Sequence, residues 1–158
     1  MPHRQRIVHV QLDEKTMVRR RPEVEHERAI AIYDLLEENY FAPIGEGFRG
    51  PYNLHLRLDD NRLIFDIRTQ EDHPLAEVPL PLAPFKSVVK DYFLICDSYY
   101  QAIKKSSPSQ IEAIDMGRRG LHNEGSELLK ERLMGRVDID FDTARRLFTL
   151  ICVLHIRG

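Results

Sequence analysis

Apolar and polar residues alternate in three short stretches, a pattern that predicts β-strands. The first covers residues 7–12 and places His9 on its polar face, so His9 is expected at the surface. The second covers residues 76–82 and contains two prolines two residues apart, which remove hydrogen-bond donors from the same edge. This strand is therefore expected at the rim of a sheet. The third, residues 137–142, predicts a short strand or an extended loop.

Residues 52–68 predict a β-hairpin, provided that Asp60 and Asn61 form its two-residue turn. One face of this hairpin is apolar and the other is mostly charged. His55 and Asp66 face each other on the charged side, and we interpret them as a cross-strand ion pair rather than half of a catalytic relay. The turn fixes the register, which pairs Leu58 with Leu63, Leu56 with Phe65, Leu54 with Ile67, Asp59 with Arg62 and His55 with Asp66.

Apolar residues recur at helical spacing in much of the remaining chain. Pro22 marks the start of a helix that runs toward Asn39, and a loop rich in glycine and proline follows it. Ser107 and Gln110 have the spacing of a capping box, which predicts another helix start. Pro84 begins the longest predicted helix, whose apolar stripe comprises Phe85, Val88, Val89, Tyr92, Cys96, Tyr99 and Ile103.

Residues 117–125 (GRRGLHNEG) interrupt the helical pattern with clustered polar residues and three glycines. An interior glycine costs a helix about 1 kcal/mol relative to alanine, so we favour a break here, with Asn123 or Ser126 capping a new helix. The alternative is one continuous helix in which Gly120 and Gly125 are points of close contact. Its shared apolar face would include Ile114, Leu121 and Leu128.

The last part of the chain predicts a buried helix. Gly135 is a suitable stop for the preceding helix, and Asp142 is expected to cap the last one. After Arg146 this last segment is apolar nearly all round, which predicts burial. Cys96 and Cys152 both lie in apolar segments without metal-ligand spacing, so we expect reduced thiols in the core.

These elements predict an α+β fold, with a small, mostly antiparallel sheet around a central hairpin and about four helices on one face. The helix from Phe85 is expected to make the main contact with the sheet. A chain of 158 residues is the length of one ordinary domain, so we predict a single domain over residues 1–158. Residues 1–6 are expected to form a flexible arm.

Composition narrows the function classes. Apolar residues make up 42% of the chain and the formal net charge is −2, which gives no overall attraction to nucleic acids or anionic membranes. The chain contains no apolar run of about 18 residues, so we expect a cytoplasmic protein without a membrane partner. The densest basic run, Arg19 to Arg21, is interpreted as a solvated loop, and nucleic-acid binding ranks last among our hypotheses.

Two acidic groups have spacings that suit metal ligands, and we reject both. The first matches the start of a calcium loop, but Thr143 and Thr149 stand where that loop needs Gly and Glu. The second lacks another His or Cys at ligand spacing. We therefore predict no metal and no cofactor. The two groups are Asp138, Asp140 and Asp142, and Glu23, His26 and Glu27.

The polar stretch within residues 117–129 is the candidate binding site. If the helix breaks there, free backbone amides and arginines would form a place for a phosphate or carboxylate. The interpretation that we favour for the arginines is ordinary surface pairing with Asp115, Glu124 or Glu127. No nucleotide-binding glycine motif is present. The predicted ligand-binding residues are Arg118, Arg119, His122, Asn123 and Glu124.

Two functions follow from these observations. The first is a non-enzymatic binding or adaptor protein that forms a homo-oligomer or binds another protein, with an interface that includes Phe93, Tyr100 and Phe148. The second is an enzyme or sensor for a small anionic ligand, in which His122 and Glu124 are available for proton transfer. The residues leave open whether the protein is an enzyme, and they assign no catalytic residue.

Four segments carry a resemblance to a known family: RRPEVEHERAIAIYDLLEENYFAP, VVKDYFLICDSYYQAI, PSQIEAIDMGRRGLHNEGSELLKERL and DFDTARRLFTLICVLHIRG. Together they resemble an uncharacterised family of small alphaproteobacterial proteins, over nearly the whole chain from about Ile7 to Gly158. That family has no assigned function, cofactor or catalytic residues. The resemblance therefore implies only a bacterial cytoplasmic protein.

Overall fold

The computed structural model describes residues 4–12 and 22–155, and it confirms the predicted α+β fold. A short 3₁₀ turn, Ala83–Phe85, precedes the second helix. In chain order the elements are β1 (Ile7–Leu12), α1 (Pro22–Glu37), β2 (Phe41–Pro43), β3 (Tyr52–Asp59), β4 (Arg62–Thr69), β5 (Pro74–Pro81), α2 (Lys86–Lys105), α3 (Pro108–Leu133), β6 (Val137–Ile139) and α4 (Phe141–His155).

The central hairpin of β3 and β4 has the predicted register, and all five predicted pairs are found. Asp60 in the turn adopts a positive φ of 56°, a conformation that Asp tolerates. The apolar face of the hairpin belongs to the core, where Leu54, Phe65 and Ile67 are fully buried. Tight local pairing made this part of the fold readable from the sequence.

The four-stranded sheet has the order β1-β3-β4-β5. β5 lies at its edge, as its prolines predicted, and β1 forms the other edge, where His9 is exposed. β1 pairs with β3 in parallel, whereas the other two pairings are antiparallel. A second sheet pairs β2 with β6. β2 lies inside the loop predicted after α1, and β6 takes the strand alternative of its prediction.

The four helices form a chain of neighbours in space: α2 packs on α3, α3 on α4, and α4 on α1. The helix backbone nearest to the four-stranded sheet is α1, which runs beside β1. α2 instead reaches the common core through side chains from Phe85 to Cys96. Its predicted stripe ends there, and Ile103 is 52% exposed.

α3 is one continuous helix through residues 117–125, so the predicted break was wrong. Its start is as predicted, because Ser107 accepts a bond from the Gln110 amide and the Gln110 side chain accepts one from the Ser107 amide. It ends two residues before Gly135, which has a φ of +86°. A glycine suits this conformation, since it lacks a Cβ.

Residues 147–154 of α4 are buried, as predicted, apart from the half-buried Thr149. The carboxylate at its start is not the predicted Asp142 but Asp140, whose Oδ1 accepts a 2.9 Å bond from the Thr143 amide. Three residues separate donor and acceptor, the usual spacing of an N-cap. Both cysteines, Cys96 and Cys152, are buried in the core and are not joined in a disulfide.

Two predictions concern the N-terminal region. The first is the flexible arm over residues 1–6. Within it, the carbonyls of Gln5 and Arg6 accept hydrogen bonds from the amides of Phe41 and Tyr52, and residues 1–3 lie outside the described part. The basic run at residues 19–21 also lies outside it. Within the described residues, no helix is both long enough and apolar enough to cross a membrane.

Candidate functional site

A cleft of about 360 Å³ lies where α1, α3 and α4 meet. The continuous helix α3 is what brings its own residues to this cleft, since positions three, four and seven apart share one helical face. Tyr92 of α2 completes the wall. The lining residues are Ile30, Ala31, Asp34, Tyr92, Arg118, Arg119, His122, Asp142, Arg145, Arg146 and Thr149.

Three of the five predicted ligand-binding residues line this cleft, namely Arg118, Arg119 and His122. Glu124 is exposed and is not among the lining residues, so the predicted proton-transfer pair with His122 is not assembled. Asn123 is also outside the lining. Its Oδ1 is buried and accepts no hydrogen bond from any described residue.

Arg118 is held in place on two sides. Its Nη2 and Nε donate to Asp115 Oδ1 over 2.6 and 3.1 Å, and its guanidinium lies 4.4 Å from the centroid of the Tyr99 ring. Burial alone would lower the pKa of Arg118, but the bond to Asp115 and its charge raise it. Arg119 Nε lies 3.2 Å from the other oxygen of Asp115. Asp115 therefore orients both arginines.

Arg145 and Arg146 of α4 are cleft residues that our sequence analysis missed. Neither forms an ion pair or a side-chain hydrogen bond with any residue that the structure describes. A signal was present, because these two arginines interrupt a helix that is otherwise almost wholly apolar. Cations retained on a buried helix indicate that one of its faces meets solvent or a ligand.

His122 forms the floor of the cleft and is neutral near pH 7. Its Nε2 lies 2.7 Å from Thr149 Oγ1, which donates its own proton to the Arg145 carbonyl. The hydroxyl can then only accept, so the network assigns the proton of His122 to Nε2. Burial, then the charges of Arg145 and Arg118, lower its pKa to about 4. Nδ1 is buried without a hydrogen-bond partner among the described residues.

A second polar cluster covers the outer face of the sheet. His55 stands opposite Asp66 in the predicted register, but its side chain bonds to Asp72 instead, with Nε2 3.0 Å from Oδ1. Asp66 is buried and pairs with Arg57 and Arg68, 3.5 and 2.8 Å away. The predicted ion pair of His55 with Asp66 was therefore wrong, because two arginines occupy the Asp66 carboxylate.

The hydrogen bond from His55, the largest effect, lowers the pKa of Asp72, which is exposed. Within this cluster the carboxylates of Asp66 and Asp72 are each paired with a basic side chain. Among the described residues, no group of three or more His, Cys, Asp or Glu side chains is arranged to hold a metal ion. The side chains of Glu23 and Glu27, two of the rejected metal ligands, lie outside the described part.

Residues 4–157 match the uncharacterised protein family UPF0262. The chain is 72% identical to a UPF0262 protein of Paramagnetospirillum magneticum, over all of both chains. It is 66% identical to one of Rhodospirillum rubrum, over 96% of this chain and 93% of the relative, and 61% identical to one of Azorhizobium caulinodans, over 99% and 98%. No solved structure matches. The resemblance to a family of alphaproteobacterial proteins is thus confirmed, and the chain belongs to UPF0262.

Proposed function

We propose that this protein binds a small anionic ligand in the cleft between α1, α3 and α4. The observation that carries the proposal is the pair Arg145 and Arg146, two guanidinium groups that line the cleft and have no ion-pair partner among the described residues. Arginine presents donors in a planar fork that matches a carboxylate or a phosphate. Two such groups on one concave surface favour a bound anion.

Arg118 supports the same function in another way. Its donors are engaged by Asp115, and its ring contact with Tyr99 fixes the position of its charge. A preorganised charge costs no side-chain entropy when the ligand binds. Arg118 therefore contributes a fixed positive potential, while Arg145 and Arg146 supply free donors.

Binding is better supported than proton-transfer chemistry. The predicted acid–base pair is separated, since Glu124 lies outside the cleft. His122 has a pKa of about 4, so near pH 7 it carries no proton to donate from Nδ1. Its Nε2 proton is bonded to Thr149. The remaining polar groups of the cleft are suited to holding charge.

A sulfate titration tests this proposal, because sulfate is fully charged over the whole pH range of interest. We expect shifts of the backbone amide resonances of α3 and α4 around the cleft, at constant ionic strength. Arg145→Ala and Arg146→Ala should each weaken sulfate binding at least about tenfold, since hydrogen bonds to charged groups are worth about 1.5–3 kcal/mol.

Arg132→Ala is the matched control. Arg132 is exposed near the end of α3 and does not line the cleft, so this variant removes the same charge elsewhere. We expect it to bind sulfate like the unaltered protein. Equal weakening by Arg132→Ala would show that only overall charge matters, and the cleft would then not be the site.

The second candidate function is self-association, to which Leu94 and Met116 point. These side chains are 58% and 61% exposed, and they neighbour Ile95 and Gly117, where α2 and α3 pack closely. Association would remove these two apolar side chains from water, which favours an interface on this side of the helix pair. Of the three predicted interface residues, Phe148 is fully buried within the chain and cannot contribute, and Phe93 and Tyr100 are partly buried against the core.

Sedimentation velocity over a wide concentration range tests self-association. We expect a dimer whose population falls on dilution, and we expect Leu94→Glu to shift the protein toward the monomer. The control is Ile103→Glu, another exposed apolar residue of α2. A monomer at all concentrations would remove this candidate, and so would equal dissociation by both variants.

A further inference from the structure

The arginine-lined cleft also has an apolar wall. Ile30 and Ala31 of α1 and Tyr92 of α2 form it. Ile30 is 46% exposed and supplies most of its accessible area, because Ala31 and Tyr92 are buried. A single exposed isoleucine on a convex surface is ordinary. Inside a concave site it offers apolar area that a ligand can cover, which favours binding by roughly 25 cal/mol per Å². Inorganic anions have no apolar atoms to use this wall.

The charge balance of the cleft favours a ligand with one negative charge. Four arginines line it, against the two lining aspartates Asp34 and Asp142. Asp115 does not line the cleft, but its negative charge counts as well, because it pairs with both Arg118 and Arg119. One net positive charge remains while His122 is neutral, so a monoanion brings the site to neutrality. A dianion would leave a negative charge in a partly buried site.

We propose that the ligand is a small organic acid, with one carboxylate that binds Arg145 and Arg146 and a short apolar or aromatic body that packs on Ile30 and Tyr92. This inference rests on the proposed function and specifies its ligand class. The volume of about 360 Å³ is near the lower end for sites that bind small molecules. A compact acid fits this volume.

A series of straight-chain acids provides the test: acetate, butyrate and hexanoate, with sulfate as the reference anion and hexanamide as the uncharged analogue. Full burial of a methylene corresponds to about a fourfold gain in affinity. We therefore expect hexanoate to bind at least about tenfold more tightly than acetate. Hexanamide should bind far more weakly than hexanoate, because it cannot pair with the arginines.

Ile30→Ser tests the contribution of the apolar wall to binding without changing the charge of the cleft. We expect this variant to keep acetate and sulfate binding but to lose most of the gain from acetate to hexanoate. Ile44→Ser is the matched control, since Ile44 is an exposed isoleucine, 60% accessible, that does not line the cleft. It should retain the full gain. Circular dichroism spectra of both variants check that the helices are intact.

Each outcome separates the two proposals. If no anion of the series binds, the proposed function fails. If sulfate and acetate bind and hexanoate is no tighter, the cleft binds anions but the organic-acid inference is overturned. The inference is also overturned if the hexanoate gain survives Ile30→Ser, or if hexanamide binds as tightly as hexanoate.

Discussion

Gly125→Ala is expected to be less stable to unfolding than Gly120→Ala by about 1–3 kcal/mol, although both substitutions are made in the same helix. Alanine in place of glycine stabilises an α-helix by about 1 kcal/mol at either position. At Gly120 a Cβ would meet nothing within 4 Å. At Gly125 it would overlap the ring of Phe148, so the gain is offset by overpacking.

The Phe148 ring has no room to move away. It is fully buried, and the rings of Tyr92 and His122 stand 6.3 and 5.2 Å from it. Gly125 therefore sets how closely α3 approaches α4. That spacing also places His122 next to Thr149, so the same contact shapes the candidate site.

Urea unfolding of the two variants measures the difference, provided that both show the same dependence on urea concentration. Gly120→Ala should unfold at a higher urea concentration than the unaltered protein, and Gly125→Ala at a lower one than Gly120→Ala. Equal midpoints for the two variants would contradict the close contact between Gly125 and Phe148.

Local patterns predicted the parts of the fold that neighbouring residues determine. The hairpin register follows from one turn and the alternation of its two strands. The two signals that bound α3, the cap at Ser107 and the stop at Gly135, each act within one helical turn. Long-range pairings had no such signal. The parallel pairing of β1 with β3 joins segments about 45 residues apart, and the pairing of β2 with β6 joins segments about 95 residues apart.

The predicted break in α3 shows why intrinsic propensity was misleading. The glycines count against a helix when each is judged alone. In the folded chain Gly125 lets Phe148 of α4 pack against the helix axis, and a Cβ at Gly117 would meet the side chain of Ile95 in α2. Tertiary packing offsets the propensity cost at these two positions. The sequence does not show which residues will lie opposite.

Only part of the candidate site could be predicted, because tertiary packing also determines which residues line it. Arg118, Arg119 and His122 were identified because they cluster in one polar segment of the sequence. Ile30 and Asp34 come from α1, and Arg145 and Arg146 from α4, so only the packing of three helices brings them together. Asn123 and Glu124 were included because they are neighbours in sequence, but a helix turns them away from the cleft.

His122 is expected to make the protein sensitive to acid. In the folded protein its pKa is lowered to about 4, mainly by burial and then by Arg145 and Arg118. The other charged groups that line the same cleft are Arg119 on α3, Arg146 and Asp142 on α4, and Asp34 on α1, while α2 contributes Tyr92. Protonation would place a cation among four arginines and between the rings of Tyr92 and Phe148.

The sign of the effect follows from the two pKa values. The imidazole has a pKa of 6.5 in the unfolded chain, so it takes up a proton as the pH falls through that value, while the folded protein stays unprotonated until about pH 4. Between these values the unfolded state binds more protons, and stability falls as the pH falls. Below the folded pKa the loss levels off. Above the unfolded pKa the group makes no pH-dependent contribution. The full loss is roughly 3 kcal/mol, because one pKa unit corresponds to about 1.4 kcal/mol.

His122→Gln tests this, since glutamine can still donate a hydrogen bond to Thr149 but does not titrate. The free energy of unfolding is measured in urea at about pH 7.5 and about pH 4.5 for this variant and for the unaltered protein. Carboxylates contribute equally to both, so His122→Gln should lose less stability on acidification by about 2 kcal/mol or more. His9→Gln is the control, because His9 is exposed, and it should keep the acid sensitivity of the unaltered protein. If His122→Gln is as acid-sensitive as His9→Gln, His122 does not stay neutral in the fold, and the charge balance that favours a monoanion in the cleft fails with it.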